Sequence, residues 1–450
     1  MNDDGKITFD NLKNVFKPMD KFTSRDKNGF MVGSHVVDAT TVMLGPGMAA
    51  FQVTGKITQS NGKKFVQTSQ KFYIMQFNGL RRVEDLEVTP MTDINLVKLT
   101  ERGRVFKEHG IGCHFQHYTG EMFKMGMYGP VYFESTGRIM IDPIGYKNYN
   151  PNSNRALFNV GSNNYGSDSN DAICEDIPDD LLFMTSPTFL GFSFREKVWG
   201  EIVVDRVSSI KFDGDAMKYL VLDSELKQLL TAMVTESEVG FNDIVQNKSG
   251  GCIIMLQGEP GIGKTLTCEV IAEKLHRPLY SVTVGELGVT PESLERKLAS
   301  IQELVESWNA ILLLDEADIL MEKRLDGDIT RNAMAGILLR LLEKYSGIMF
   351  LTTNRMASID KAFKSRISLN IEYNELGFNA RLKVWQNLLE ASGMGYLSES
   401  DVLHIADIDI NGRQIKNTIR MIQKVNHHEN KQCNVGEIDK STNWSASLQD

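Results

Sequence analysis

The sequence predicts two folds in one chain: a mainly β or mixed α+β domain first, then an α/β sandwich in which helices cover both faces of a parallel sheet, with a small helical lid at its end. Three observations carry this. Up to about residue 140, short β-rich runs such as Phe65–Thr68 and Lys71–Ile74 alternate with glycine and polar turns, and no helical period is sustained. Beyond residue 250, short apolar runs alternate with amphipathic helical patterns, the signature of a helix-covered parallel sheet. After about Tyr373 the strands stop and helical patterns continue to about His428.

In chain order, the β-rich part gives way at Lys147–Asp180 to a segment rich in Asn, Ser, Gly and Asp. Eight of the 23 residues from Asn148 to Asn170 are asparagine, whose side chains compete with strand ladders for backbone hydrogen bonds, so a long mobile loop is expected. Order returns at Phe189–Phe194 and Trp199–Val204, and a helix over Ser224–Val234 leads into the second half. Strands are expected at Cys252–Leu256, Leu279–Val284, Ala310–Leu314, Ile348–Thr352 and Ser368–Glu372. Between the second and third of these, Leu294, Leu298, Ile301, Leu304, Val305 and Trp308 recur on one helical face. Thr290 can cap that helix, with Pro291 at its first position and Glu292 in its first turn.

The 450 residues, 42% hydrophobic and 24% charged, have the balance of a globular protein rather than a disordered or membrane chain. A net charge of −9 argues against a sequence-blind grip on nucleic acid or anionic lipid. The longest apolar runs are too short to cross a bilayer, and the acidic start is followed by no apolar signal segment. An intracellular protein, cytoplasmic or nuclear, is expected. Five scattered cysteines with no CxxC pair fit reduced thiols.

The chemistry concentrates at three strand ends. Gly258, Glu259, Pro260, Gly261, Ile262, Gly263, Lys264 and Thr265 spell a complete GxxxxGK[ST] phosphate loop, with an apolar strand before it and a helix, Thr265–Leu275, after it. Its glycines let backbone N–H groups converge on phosphate oxygens at a helix N-terminus. Lys264 would reach the β and γ phosphates and Thr265 would ligate Mg²⁺, with Leu266 next in the cofactor-binding turn. The run Ala310–Leu314 ends in Asp315 and Glu316. Asp315 is placed for the metal shell, and Glu316 is placed as the base that orients or deprotonates the attacking water. Ile348–Thr352 leads to Asn354, whose amide could hold that water or read the γ phosphate.

Phosphate loop, acidic pair and the Thr353–Asn354 sensor together resemble the AAA ATPase family of the AAA+ class, over about residues 236–428. The fold this implies is the P-loop NTPase αβα sandwich with a helical lid. The wording around Trp308–Asp318 and Ser365–Ile367 looks most like fungal-type AAA ATPases that carry an uncharacterised N-terminal domain, and residues 77–146 are similar to that domain. The resemblance implies further roles. Arg366 matches the arginine finger that enters a neighbouring subunit's site, Arg413 matches the lid's sensor arginine, and Asp243, Ile244 and Val245 match the segment lining the adenine pocket.

The resemblance also implies ATP and Mg²⁺ as cofactors, and a homo-oligomeric ring, by family a hexamer, acting on a protein substrate. It divides the chain into a partner-recognition domain at 1–235, the large ATPase subdomain at 236–375, the lid at 376–428 and a polar tail at 429–450. One departure bears on function: Val284–Pro291 runs toward the next helix without the aromatic pore-loop residue of many unfoldases, only Val289. The alternative reading is therefore a nucleotide-dependent scaffold or switch with slow turnover. His109, Cys113, His114 and His117 resemble a metal cluster, but strand alternation puts His114 and His117 on opposite faces. The opening Asn2–Ile7 echoes a calcium loop yet lacks its first and last ligands.

Overall fold

Alternating burial along long strands organises the residues up to Ile210, and continuous burial along short ones organises the rest. The computed structural model describes residues 5–126, 129–151, 172–235, 251–322, 328–355, 359–429 and 435–446. They fall into two units, Met1–Ile210 and Lys211–Asp450.

The first unit contains β1 (Lys6–Ile7), β2 (Lys21–Arg25), β3 (Met31–His35), β4 (Asp38–Gly45), β5 (Met48–Ser60), β6 (Phe65–Met75), β7 (Arg81–Arg82) and β8 (Val88–Pro90). Helix α1 (Asp93–His109) follows, then β9 (His114–Gly126), β10 (Gly129–Ile141), helix α2 (Pro143–Tyr149), β11 (Ala172–Cys174), β12 (Thr188–Ser193), β13 (Val198–Val203) and β14 (Val207–Ser208). The main sheets run β11-β6-β5-β4, β3-β2-β8 and β10-β12-β13-β9-β14, the last built on the β9–β10 hairpin. The two runs at Phe65–Thr68 and Lys71–Ile74 are one strand, because β6 pairs with β5 without a break from Ser60↔Phe65 to Ala50↔Met75.

Helix α1 is the element that the sequence pattern hides. Its buried positions are Leu99, Arg102, Gly103 and Phe106, so half of its inner face is not apolar. Gly103 is there because a Cβ would stand 2.1 Å from the carbonyl oxygen of Leu182. Arg102 donates to the carbonyls of Met31 at 2.7 Å and Thr185 at 3.2 Å.

The Asn-rich segment is shorter at both ends than the expected 147–180. Asp142 caps α2 by accepting from Gly145 N at 2.8 Å, Pro143 opens it, and Tyr149 stacks on Trp199 with ring centroids 5.3 Å apart. At the far end β11 pairs with β6, and Asp179–Met184 forms a 3-10 turn that buries Leu182, Phe183 and Met184. Residues 152–171 lie outside the described residues, as does the start of the calcium-like opening.

The second unit begins with α3 (Ser224–Thr235), β15 (Cys252–Gln257), α4 (Lys264–Lys274), β16 (Leu279–Thr283), α5 (Val284–Leu287), α6 (Pro291–Ser307) and β17 (Ile311–Asp315). It continues with α7 (Asp318–Met321), α8 (Ile329–Lys344), β18 (Ile348–Thr353), α9 (Lys361–Lys364), β19 (Leu369–Glu372), α10 (Phe378–Ala391), α11 (Glu399–Asp407), α12 (Gly412–Glu429) and α13 (Val435–Ala446). The five strands are parallel in the order β16-β17-β18-β15-β19. β15 and β18 are buried at every position, as strands covered on both faces must be. Thr290 caps α6 in a capping box with Ser293, and the apolar stripe read from the sequence is its buried face.

Two boundaries differ from the expected ones. The units divide after Ile210 rather than near 235, because Leu230 and Val234 of α3 belong to the same buried cluster as Ile254, Leu256 and Phe350 of the parallel sheet. The expected polar tail contains α13, which shares a core with the lid: Ile438 is fully buried with Trp385, Leu389, Ile405, Ile415 and Ile419.

Candidate active site

The strand order leaves β15 between β18, which the chain reaches later, and β19, so the carboxyl ends of β15, β17 and β18 open at the switch in winding where such sheets take ligands. The turn after β15 is built on three glycines with positive φ: Gly258 at 144°, Gly261 at 84° and Gly263 at 109°. At Gly258 a Cβ would meet the Tyr373 carbonyl oxygen at 2.6 Å, so a side chain there is excluded by space as well as by backbone angle. Gly258 N donates to Thr353 O at 3.2 Å, which ties the loop to the end of β18. Gly263 stands at the N-cap of α4 without any side-chain cap, and a Cβ there would meet nothing within 4 Å. The first N–H groups of α4 thus have no side-chain cap from Gly263.

Lys264 is only 8% exposed. Its ammonium donates to Gly258 O at 2.6 Å, Glu259 O at 2.9 Å and Asn354 Oδ1 at 2.7 Å. Burial pushes its pKa down, Asp315 and Glu259 pull it up, and Arg413 pushes it down again. Loop, β17 carboxylate, sensor amide and lid arginine therefore act on one ammonium.

Asp315 ends β17 half-buried and accepts from the Thr352 hydroxyl. Glu316 is exposed and sits at φ 56°, a left-handed conformation that a non-glycine residue holds only when its surroundings fix it. Here Glu316 N donates to Thr352 Oγ1 at 3.0 Å and Ala317 N to Thr352 O at 2.9 Å. Asp318, 7% exposed, accepts from Asn354 N at 3.3 Å and from Ile319 N at 3.0 Å. Thr352 and Asp318 are the site residues that motif reading missed. Each works through a contact across the sheet, and the only local sign was an acidic residue three positions past Asp315.

Ile262 is buried in the sheet core, whereas Glu259, Pro260, Thr265 and Leu266 are exposed. Thr267 donates to Gly263 O at 3.1 Å and shares a 2.5 Å hydrogen bond with Tyr373, fixing the first turn of α4 from beneath. Arg413, in the first turn of α12, reaches the loop through its backbone: its N–H donates to Gly261 O at 3.2 Å. Arg366 stands apart, donating to Ala362 O at 2.7 Å and pairing with Glu343 of α8. Asp243 and Ile244 lie outside the described residues. His114 and His117 both lie on β9, at an odd separation, and His114 Nε2 is taken up by Ile111 O at 2.6 Å.

A glycine loop between strand and helix, a buried lysine inside it, and an acidic strand end beside it define a P-loop NTPase fold. Comparison with known proteins narrows the class. Residues 254–375 match the ATPase family associated with various cellular activities (AAA), and residues 1–94 match DUF7025, a domain of unknown function. Residues 254–375 of the second unit thus match an AAA ATPase domain, and residues 1–94 of the first match this uncharacterised domain, which overlaps the stretch 77–146 only at 77–94.

Among curated relatives, the ATPase family AAA domain-containing protein FIGL1 of Arabidopsis thaliana is 25% identical over 231 residues, 48% of this chain and 33% of its own. The 26S proteasome regulatory subunit 4 homolog of Oryza sativa subsp. japonica is 28% identical over 177 residues, 36% of this chain and 38% of its own. The alignments thus span well under half of these relatives' own length. The crystal structure of the FIGL-1 AAA domain in complex with ADP aligns at 16% identity and a TM-score of 0.41, over 52% of this chain and 85% of its own, a likeness too distant to carry an argument. Among the described residues, no helix is long and apolar enough to cross a membrane.

Proposed function

We propose that the second unit hydrolyses ATP between subunits of a homo-oligomeric ring, a hexamer in the simplest case, and that the turnover remodels a protein partner selected by the N-terminal part of the chain. The observation that supports this most is the meeting of the glycine loop and the Asn354 amide on the Lys264 ammonium, 2.6 to 2.9 Å from three acceptors. The residues present fit Mg·ATP: the N-terminus of α4 has no side-chain cap, Thr265 is exposed beside it, and Asp315 ends β17, one strand beyond β18 in the same sheet.

Backbone N–H groups from Gly261 to Leu266 hold the phosphates, and Lys264 exchanges its two loop carbonyls for β and γ oxygens. Thr265 and Asp315 hold Mg²⁺, which when bound draws negative charge off the phosphates. Glu316, on its fixed left-handed turn, orients the lytic water and takes its proton. Asn354 holds that water or reads the γ phosphate, and Asp318 fixes the Asn354 backbone. Asp243 and Ile244 line the adenine. Arg413 couples nucleotide state to the lid, and Arg366 reaches the neighbouring subunit's γ phosphate as a bidentate clamp.

The test is steady-state ATPase activity of the chain and of its Glu316→Gln and Arg366→Ala variants. Each variant loses about a hundredfold or more. Mixing the two restores part of the activity, because some interfaces then pair an intact Glu316 with an intact Arg366. Equal activity in all three proteins would remove both roles. A second reading, a slowly turning scaffold, is favoured by Val289: it stands 83% exposed after α5 where a gripping aromatic would be needed. Brisk, concentration-dependent turnover counts against it.

A further inference from the structure

The first unit holds a cavity of about 1050 Å³ between β2, β6 and the β12–β13 hairpin, bordered by Asp26, Gln59, Phe106, Thr188, Phe189 and Glu201. That is the size of pockets that take small organic ligands. Its lining is part hydrocarbon and part polar, the polar part including the hydroxyl and amide groups of Thr188 and Gln59, while Phe106 and Phe189 stack behind it in the core with centroids 5.1 Å apart.

Glu201 is the chemically distinctive member. It is only 8% exposed, and the Thr188 hydroxyl donates to its Oε2 at 2.9 Å. Among the described residues its other oxygen has no hydrogen-bond partner, and it makes no ion pair. Lys27 favours the ionised form from a distance without pairing, and Asp26 opposes it. That oxygen is not among the fully enclosed atoms that lack a partner, so it borders the accessible cavity, where a bound donor would meet it.

We propose that this cavity binds an organic cation, an ammonium or guanidinium on an aliphatic stem, with Glu201 as its counter-ion. The carboxylate disfavours an anion beside it, even though Arg25, Lys27 and Lys71 line other parts of the cavity. A bare metal ion is poorly served, because Asp26 Oδ1 is already occupied by the N–H groups of Asn28 and Phe30, and Phe106 and Phe189 offer no ligands. An aliphatic stem along the hydrocarbon part of the lining, with its charged head at Glu201, uses both kinds of wall. The cation comes either from a free amine or from a Lys or Arg side chain of a protein. The proposal stands independently of the ATPase reading, since every residue in it lies in the first unit.

The test is titration calorimetry on the full chain with spermidine, N-acetyl-lysine amide, N-acetyl-arginine amide and the uncharged N-acetyl-citrulline amide. At least one cation binds at one site with a dissociation constant below about 1 mM, and Glu201→Gln weakens it by about tenfold or more. Binding of spermidine alone assigns a free amine, and binding of the amino-acid amides assigns a side chain. A cooperative thermal melt and parent-like circular dichroism show that the first unit of the Glu201→Gln sample is folded. Absence of binding by all three cations, equal binding by Glu201→Gln, or equal binding of the citrulline amide overturns the proposal.

Discussion

Arg366 satisfies its guanidinium inside its own subunit, with Glu343 and the Ala362 carbonyl, while its Nε is buried without a partner. A finger that must reach a neighbour has to leave this pairing. Both side chains are partly exposed, 27% and 52%, so the pair is worth at most about 1 kcal/mol. Glu343→Gln should therefore shift the protein concentration for half-maximal ATPase activity downward by about two- to fivefold with little change at saturation. A fall in the saturating rate instead would make Glu343 an aid to the finger rather than a competitor.

Glu201 makes a prediction about stability as well as binding. Burial raises its carboxyl pKa in the folded state, more than Thr188 and Lys27 lower it. Between the unfolded and folded values the native state holds the extra proton, so stability falls as pH rises through that window. Glu201→Gln removes the liability: the variant should melt above the parent at neutral pH, and the gap should close on acidification toward about pH 4.5, near the ordinary glutamate value. Thermal melts across that range, without amines, read both the sign and the closing.

At the scale of elements, α13 is docked through Ile438 among its described side chains. Ile438 is its fully buried apolar side chain among the described ones, and Thr442 is buried beside it, donating to Ile438 O at 2.8 Å. Ile438→Ala should lower the local stability of the lid by about 2–5 kcal/mol, seen as faster hydrogen exchange in α10–α13. The same sparseness explains why the helix reads as a polar tail: one isoleucine makes no period. α1 was illegible for the opposite reason, since its inner face is occupied but by Arg102 and Gly103, which no hydrophobic pattern counts. α6 was legible down to its cap, because its stripe and capping residues are local and apolar packing decides both.

For the whole molecule, each unit has its own buried clusters, and α3 belongs with the second. A fragment of residues 211–450 should fold and bind Mg·ATP, whereas 236–450 should be less stable by about 3 kcal/mol or more, having lost Leu230 and Val234 from the sheet's cover. Urea unfolding of the two fragments measures the difference. The parallel sheet and its loop were readable because a phosphate loop needs glycines, lysine and threonine at fixed spacing in one segment. What escaped reading were pairings between distant segments: Thr352 with Asp315, Asp318 with Asn354, and Glu343 with Arg366.

The hydrogen bond from Arg413 N to Gly261 O joins the first turn of the lid helix to a peptide unit of the glycine loop. Gly261 also has no room for a side chain, because a Cβ there would stand 2.8 Å from Asn411 Oδ1 and 3.0 Å from Arg413 Cβ. Any swing of the lid helix α12 must then either release this contact or drag the loop along, so the grip on a phosphate and the tilt of that helix are geared to each other.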